Sequence, residues 1–228
     1  MKKIVFIFII FSFTSCSILI KSQKFTDYEI KEKILKNLIY LENCKASGII
    51  NLSIKSLELK SNFLLRKKEK KLKIDIFSSG LLGLSPSQQV QVLFDDSLNI
   101  FLPPKNILYV FIQDSKTNYN FDLHQMINEC KNIEKTKTKC IISLPNAKLI
   151  FNKEFNLIML QYEKLKIVLN SYRNNLPYNL NIFQDDKKLA NLTIDNWSFP
   201  ELKDKIFRLN IPKDVEIIKT KKNYYYKK

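Results

Sequence analysis

Glycine is scarce in this chain: three residues in 228, alongside one histidine, one tryptophan and four cysteines. A phosphate-cradling loop needs several glycines in a short window, because backbone amides must approach the anion with no Cβ in the way, and no such window exists. One histidine, His124, cannot supply paired imidazoles, and the cysteines form no CxxC pair, so no metal is expected. A Gly-x-Ser-x-Gly elbow is also absent, and His124 has no motif that gives it a nucleophile; a surface or capping role is expected of it. The carboxylate pairs Asp95-Asp96 and Asp185-Asp186 fall at turns, where aspartate serves the backbone. These absences point away from an enzyme and away from any dissociable cofactor.

Acidic residues are also few, 22 against 38 lysines and arginines, for a formal charge of +16. Such an excess favours anionic surfaces, although a Lys-, Asn- and Ile-rich composition also follows from AT-rich coding, the preferred reading for most of it. The lysines are spread along the chain and not gathered around aromatics, and an exported protein meets little nucleic acid, so no nucleic-acid partner is expected. The C-terminal KTKKNYYYKK is the exception, read either as a solubilising tail or as a contact for anionic headgroups.

Long apolar runs are missing as well. The one at Ile4–Phe13 is too short for a permanent span, but Lys2-Lys3 before it and Phe13-Thr14-Ser15-Cys16 after it make a leader. Residues 1–15 are expected as a signal peptide, with Cys16 the lipidation site and 16–24 a lipidated tether; an ordinary secretory signal is the alternative. Three cysteines remain. At most one bridge can form among them, and Cys130 and Cys140, ten positions apart around a charged connection, are the candidates on loop length, with Cys44 buried and unpaired.

What the chain does have is periodicity. Thr26 with Glu29 makes a capping box, with Phe25 and Ile30 placed for a hydrophobic staple, and Ile30, Ile34, Leu35, Leu38 and Leu41 form one stripe, predicting a helix over 27–42. From Lys45 the period changes to two, and short alternating segments follow at 45–55, 71–76, 88–94, 97–102, 107–112, 140–144, 148–151, 156–162, 165–170, 178–183, 188–197 and 206–209. RKKEKK at 66–71 reads as a solvated hairpin tip, and Leu123, Met126, Ile127 and Cys130 share a face of a second short helix. So many strands with local turns predict a mainly β fold with two helices (α+β): a large curled antiparallel sheet, an unclosed half-barrel under a helical lid, over 25–213, with 214–228 a basic tail.

Two of the three glycines, Gly80 and Gly83, stand in LKIDIFSSGLLGLS beside Leu81, Leu82 and Leu84. Glycines concentrated in one loop imply a demanding turn, and leucines in a turn either fold back onto the core or form an exposed finger for a membrane or acyl chain. The finger is expected at Leu82, with Leu84 the more buried neighbour.

The leader with Cys16, the segment IDIFSSGLLGLS and the late hairpin LPYNLNIFQDDKKLANLTIDNWSF resemble the outer-membrane lipoprotein receptors of the LolB family, within the wider LolA/LolB-like fold. The resemblance covers most of 45–209; the family's usual proline before the leucine is Leu81 here, and FRLNIPKDVEI is similar to the end of the carrier-like relatives. It implies an unclosed barrel with an apolar cavity, diacylglyceryl and N-acyl groups on Cys16, and a protruding leucine at Leu82 that delivers clients into the membrane. It further implies membrane lipid and lipoprotein acyl chains as partners, a periplasmic LolA-like carrier, a monomeric state and a place at the periplasmic face of the outer membrane. A structural lipoprotein or envelope-assembly scaffold of the same fold is the alternative.

Overall fold

In the computed structural model of the chain, residues 25–54, 57–78, 87–95, 97–112 and 123–221 are described. Alternation of apolar and polar residues drives these segments into one 14-stranded sheet: β1 (Asn43–Ile54), β2 (Leu57–Lys68), β3 (Lys71–Phe77), β4 (Gln88–Phe94), β5 (Leu98–Leu102), β6 (Ile107–Ile112), β7 (Ile133–Lys135), β8 (Lys139–Leu144), β9 (Ala147–Asn152), β10 (Leu157–Tyr162), β11 (Leu165–Arg173), β12 (Leu176–Gln184), β13 (Lys187–Ser198) and β14 (Glu216–Lys221). The spatial order is β14-β6-β5-β4-β3-β2-β1-β13-β12-β11-β10-β9-β8-β7, antiparallel throughout except for the parallel β6–β14 pair. The outer strands β7 and β14 do not pair with each other, so the curled sheet is unclosed, as expected.

Tight turns without glycine join the meander. Asn174-Asn175 and Asp185-Asp186 take positive φ at both positions, a conformation these short polar side chains tolerate and one whose twist suits a two-residue hairpin. Ser171, also at positive φ, interrupts the β11–β12 ladder without shifting its register, and the next residue, Tyr172, donates to the carbonyl of Leu157.

Helix α1 (Asp27–Leu38) begins with the expected capping box, Thr26 and Glu29 each accepting from the other's backbone amide, and continues as a 3-10 turn at Ile39–Leu41. Its stripe Ile30, Ile34 and Leu38 is buried against one face of β7–β11, together with Ile127 of α2 (Leu123–Glu129). We call this the inner face. Asn37 ties α1 to two turn tips, donating to Glu154 O (2.8 Å) and accepting from Asn175 (3.3 Å), so the helix lies across one end of the half-barrel.

Three expectations are corrected. The segment 206–209 is not a strand: Asp204–Ile206 is a 3-10 turn within a strap, 199–215, that crosses the outer face of β3 and β4. Its apolar alternation serves packing, with Leu202 and Phe207 buried, and it is held by side chains instead of a ladder. Secondly, the sheet does not stop at 213, because β14 adds to β6 inside the stretch expected as a tail. Thirdly, Cys130 and Cys140 form no bridge. Both are buried free thiols, Cys130 donating to Asn132 O (2.9 Å), and the hairpin register sets Cys140 opposite Lys135, well along the strand from Cys130. Cys44 is likewise buried and free.

Candidate functional site: the inner face

Register places apolar residues directly opposite one another across the sheet. One rung runs Ile133, Ile142, Leu149, Leu160, Ile167, Ile182, Ala190, Leu52 and on to Leu59, crossing nine strands from β7 to β2. A second runs Trp197, Ala46, Leu65, Ile74, Val92, Ile100, Tyr109 and Ile218, crossing eight strands from β13 to β14. No charged side chain interrupts either rung. Such runs of apolar residues in direct opposition stabilise the sheet and make its inner surface continuously apolar.

The two rungs differ in cover. Where α1 and α2 lie, the face is dry: Ile142, Leu149 and Phe151 are fully buried, in one cluster with the helix stripe. A second cluster, around Ile50, Phe63, Ile76, Leu192 and Ile194, contains no helical residue, and Leu180 touches both. Along the β2–β6 part of the second rung Leu65, Ile74, Val92, Ile100 and Tyr109 are all only half-buried. Among the described residues the half-barrel therefore has a half covered by helices and a half whose aliphatic face is only half-buried. Two open surface depressions lie elsewhere: one of about 540 Å³ beside Cys130, Asn132 and Ile141, and one of about 480 Å³ between Tyr40, Asn174, Leu176 and Phe199.

The outer face of the unlidded half carries a buried charge cluster. Asp75, 3 % exposed, accepts from Arg66, from Gln88 (2.7 Å) and from Gln91 (3.3 Å), and faces Lys73 at 3.8 Å. Lys73 in turn donates to Arg208 O (2.7 Å), and Gln91 accepts from Asn210 N (3.2 Å), so the cluster pins the strap. Burial pushes the Lys73 ammonium below the ordinary lysine value, against the opposite pull of Asp75, while Arg66 adds to the lowering. Alternation correctly turned these residues away from the inner face, but it read them as solvated; nothing local reveals a strap arriving from more than a hundred residues away.

Of the expected site residues, Cys16, Gly80, Leu81, Leu82, Gly83 and Leu84 lie outside the described residues. The feet of the leucine loop are described: Ser78 N donates to Ser87 O (2.9 Å) and their hydroxyls meet at 3.0 Å. His124 stands 3.0 Å from Glu42 Oε1, linking α2 to the start of β1. Among the described residues no cluster of three or more potential metal ligands occurs.

An unclosed antiparallel half-barrel with helices laid over part of an apolar inner face defines a class of folds. No family model matches the sequence, and no curated protein sequence matches it. The fold nevertheless has solved counterparts. A LolA superfamily protein from Nitrosomonas europaea superposes with a TM-score of 0.53 at 13% identity, covering 81% of this chain and 98% of its own. A DUF1329 family protein from Desulfovibrio piger gives 0.51 at 10% identity, with 80% and 95% covered. A protein domain from Vibrio parahaemolyticus named for outer membrane lipoprotein sorting gives 0.50 at 10% identity, with 80% and 97% covered. The chain has the LolA-like fold; the likeness does not single out the LolB branch.

Proposed function

We propose that this chain is a lipid-anchored protein of the bacterial envelope that holds lipoprotein acyl chains against the open half of its inner face and passes them to the outer membrane, as a non-enzymatic receptor of the LolB kind. In this reading Cys16 carries the anchor, Leu82 leads the insertion loop, and a LolA-like carrier delivers the client. The observation that carries it is the second rung, eight strands of opposed apolar residues, half-buried from Leu65 to Tyr109. Each methylene transferred from water contributes about 0.8 kcal/mol, so a chain of a dozen or more carbons laid along that rung is held without any polar contact.

One observation favours the alternative of a packed scaffold lipoprotein: Ile50, Phe63 and Ile194 are already buried. Titration of the purified chain with a fluorescent fatty acid separates the two. Micromolar binding that is lost in Val92→Asp, with the melting temperature held within a few degrees, supports the receptor. No binding by the unaltered chain supports the scaffold.

A further inference from the structure

Three segments far apart in the chain meet beside the hairpin tip Asn174-Asn175: the 3-10 turn that ends α1, the start of β12 and the residue that follows β13. They border the open depression of about 480 Å³ lined by Tyr40, Asn174, Asn175, Leu176 and Phe199. Tyr40 and Phe199 are 49 % and 47 % exposed, and their rings meet edge to face at 5.8 Å. Register brings the pair together, because Tyr40 precedes β1, Phe199 follows β13, and Lys45 of β1 lies opposite Ser198.

The polar groups of the depression have spare bonding capacity. Among the described residues no hydrogen bond engages the Tyr40 hydroxyl or the Asn174 amide, and Asn175 donates to Asn37 Oδ1 (3.3 Å), which leaves its own Oδ1 to accept. None of the five lining residues is charged, and the neighbouring Arg173 lays its guanidinium over the Tyr178 ring at 5.1 Å. The frame is cross-braced. Positive φ at both asparagines sets the tip, Asn37 joins it to α1 while donating to Glu154 O (2.8 Å), and Trp197 Nε1 donates to Pro177 O (2.9 Å), tying the end of β13 to the start of β12.

That combination selects a ligand class. A phosphate or carboxylate ligand would bring charge to a lining without a cation, and an acyl chain would answer none of the three polar groups. A pyranose ring answers both kinds of group: its C–H face, with slightly positive hydrogens, rests on the negative face of an aromatic ring, while its hydroxyls donate to and accept from amides. An acetamido substituent adds a donor, an acceptor and a methyl group, matched to a carboxamide beside two rings. We propose that the depression at Tyr40, Asn174, Asn175 and Phe199 is a binding site for an uncharged N-acetylhexosamine oligosaccharide. β1 begins at this end of the half-barrel, and β3, which the leucine loop follows, ends at the other, so a saccharide here leaves that loop and the inner face unobstructed. The site goes beyond the acyl-binding reading and stands whether or not the inner face takes a lipid.

The test titrates chitotriose into the full chain, isotope-labelled, and follows backbone amide shifts by NMR. Shifts are expected at 39–41, 174–176 and 199, saturating in the millimolar range that an open site gives. Asn174→Gly removes the amide while suiting the positive φ, and Tyr40→Phe removes only the hydroxyl; each is expected to weaken binding about threefold or more at an unchanged melting temperature. Phe199→Ser is expected to abolish it. Val92→Asp, which addresses the acyl-binding reading, leaves chitotriose binding as in the unaltered chain, so the two readings fail separately. No shift at millimolar chitotriose, shifts confined to other parts of the sheet, or binding untouched by Asn174→Gly and Phe199→Ser overturns the proposal. So does sedimentation in which Tyr40→Ser/Phe199→Ser turns a dimer into a monomer, because the patch is then an interface between copies. Retention of the full chain on purified peptidoglycan, or on vesicles bearing an N-acetylhexosamine glycolipid, tells a wall strand from a membrane glycolipid as the source, either one supporting the site.

Discussion

Gly48 shows how a single residue is dictated by the sheet. It sits at a bulge where β1 passes β13, and a Cβ built there would lie 2.0 Å from Thr193 O and 2.9 Å from Ile194 Cα, both backbone atoms that cannot swing aside. Gly48→Ala is expected to cost about 3 kcal/mol or more in urea unfolding, at the upper end of ordinary substitutions; a loss below about 1 kcal/mol would show that the strands separate freely there. Cys44 makes a different prediction. Burial pushes its thiol up to about 11, with Lys67 pulling the other way, so between its ordinary value of 9.0 and about 11 the folded chain keeps a proton that the unfolded chain releases. The contribution is fully present below pH 9 and is lost as the pH rises through 11, at most about 2–3 kcal/mol. Cys140 and Tyr172 are raised by burial too, and Lys73 is lowered, so the slope of the whole chain is composite. The comparison that isolates the residue is Cys44→Ala, which should flatten the fall in stability between pH 9 and 11. Alternation in the sequence placed Gly48 in its strand but began that strand at Lys45, one residue after Cys44. What alternation could not convey is the contact made across the sheet, since neither the bulge nor the 2 % exposure of Cys44 is a local property.

At the scale of elements, what could be read from the sequence divides along a physical line. Elements held by their own pattern were legible: the capping box and stripe of α1, the hairpin closed by Asp185-Asp186, and the alternation that sets each strand's apolar face. Elements held by distant side chains were not. The strap has the alternation of a strand but spends its polar backbone on Lys73 and Gln91. Likewise β14 has the lysines of a tail but completes its hydrogen bonds on β6, helped by Asn106, which donates to Asp214 O at 3.1 Å. The Asp75 cluster is where that strap can be tested. Removing the carboxylate leaves Arg66 and Lys73 facing each other at a buried site without their counterion, a change that typically costs about 3–5 kcal/mol. Asp75→Ala should therefore lower stability by that order and open 199–215 to limited proteolysis before the sheet itself is cut. Cleavage of strap and sheet at the same rate would mean that the cluster does not hold the strap.

For the whole molecule, a sheet this wide has two free edges, and the edges decide whether it stays a single copy. On one side β7 is only three residues long and carries exposed Glu134 and Lys135, which offer little to a pairing strand. On the other, β6 reads ILYVFI, six residues of high strand propensity with no charge and no proline, the composition that templates intermolecular pairing. β14 covers it in parallel register from Glu216 opposite Ile107 to Lys221 opposite Ile112, and presents to solvent a strand bearing exposed Glu216 and Lys219 instead. The short C-terminal strand is thus an edge cap, a role invisible in the sequence because its partner lies about a hundred residues earlier. Ending the chain after Asp214 removes the cap while leaving the strap contacts at Arg208 and Asn210 in place. The truncated protein is expected to melt several degrees lower and to sediment as concentration-dependent oligomers, whereas the intact chain stays a single species. Restoring only the edge charge, by Val110→Lys on β6 in the truncated chain, should suppress the oligomers without recovering the lost stability, since a lysine blocks pairing but replaces none of the ladder. A truncated chain that remains monomeric at high concentration would show that β6 is protected by something other than β14.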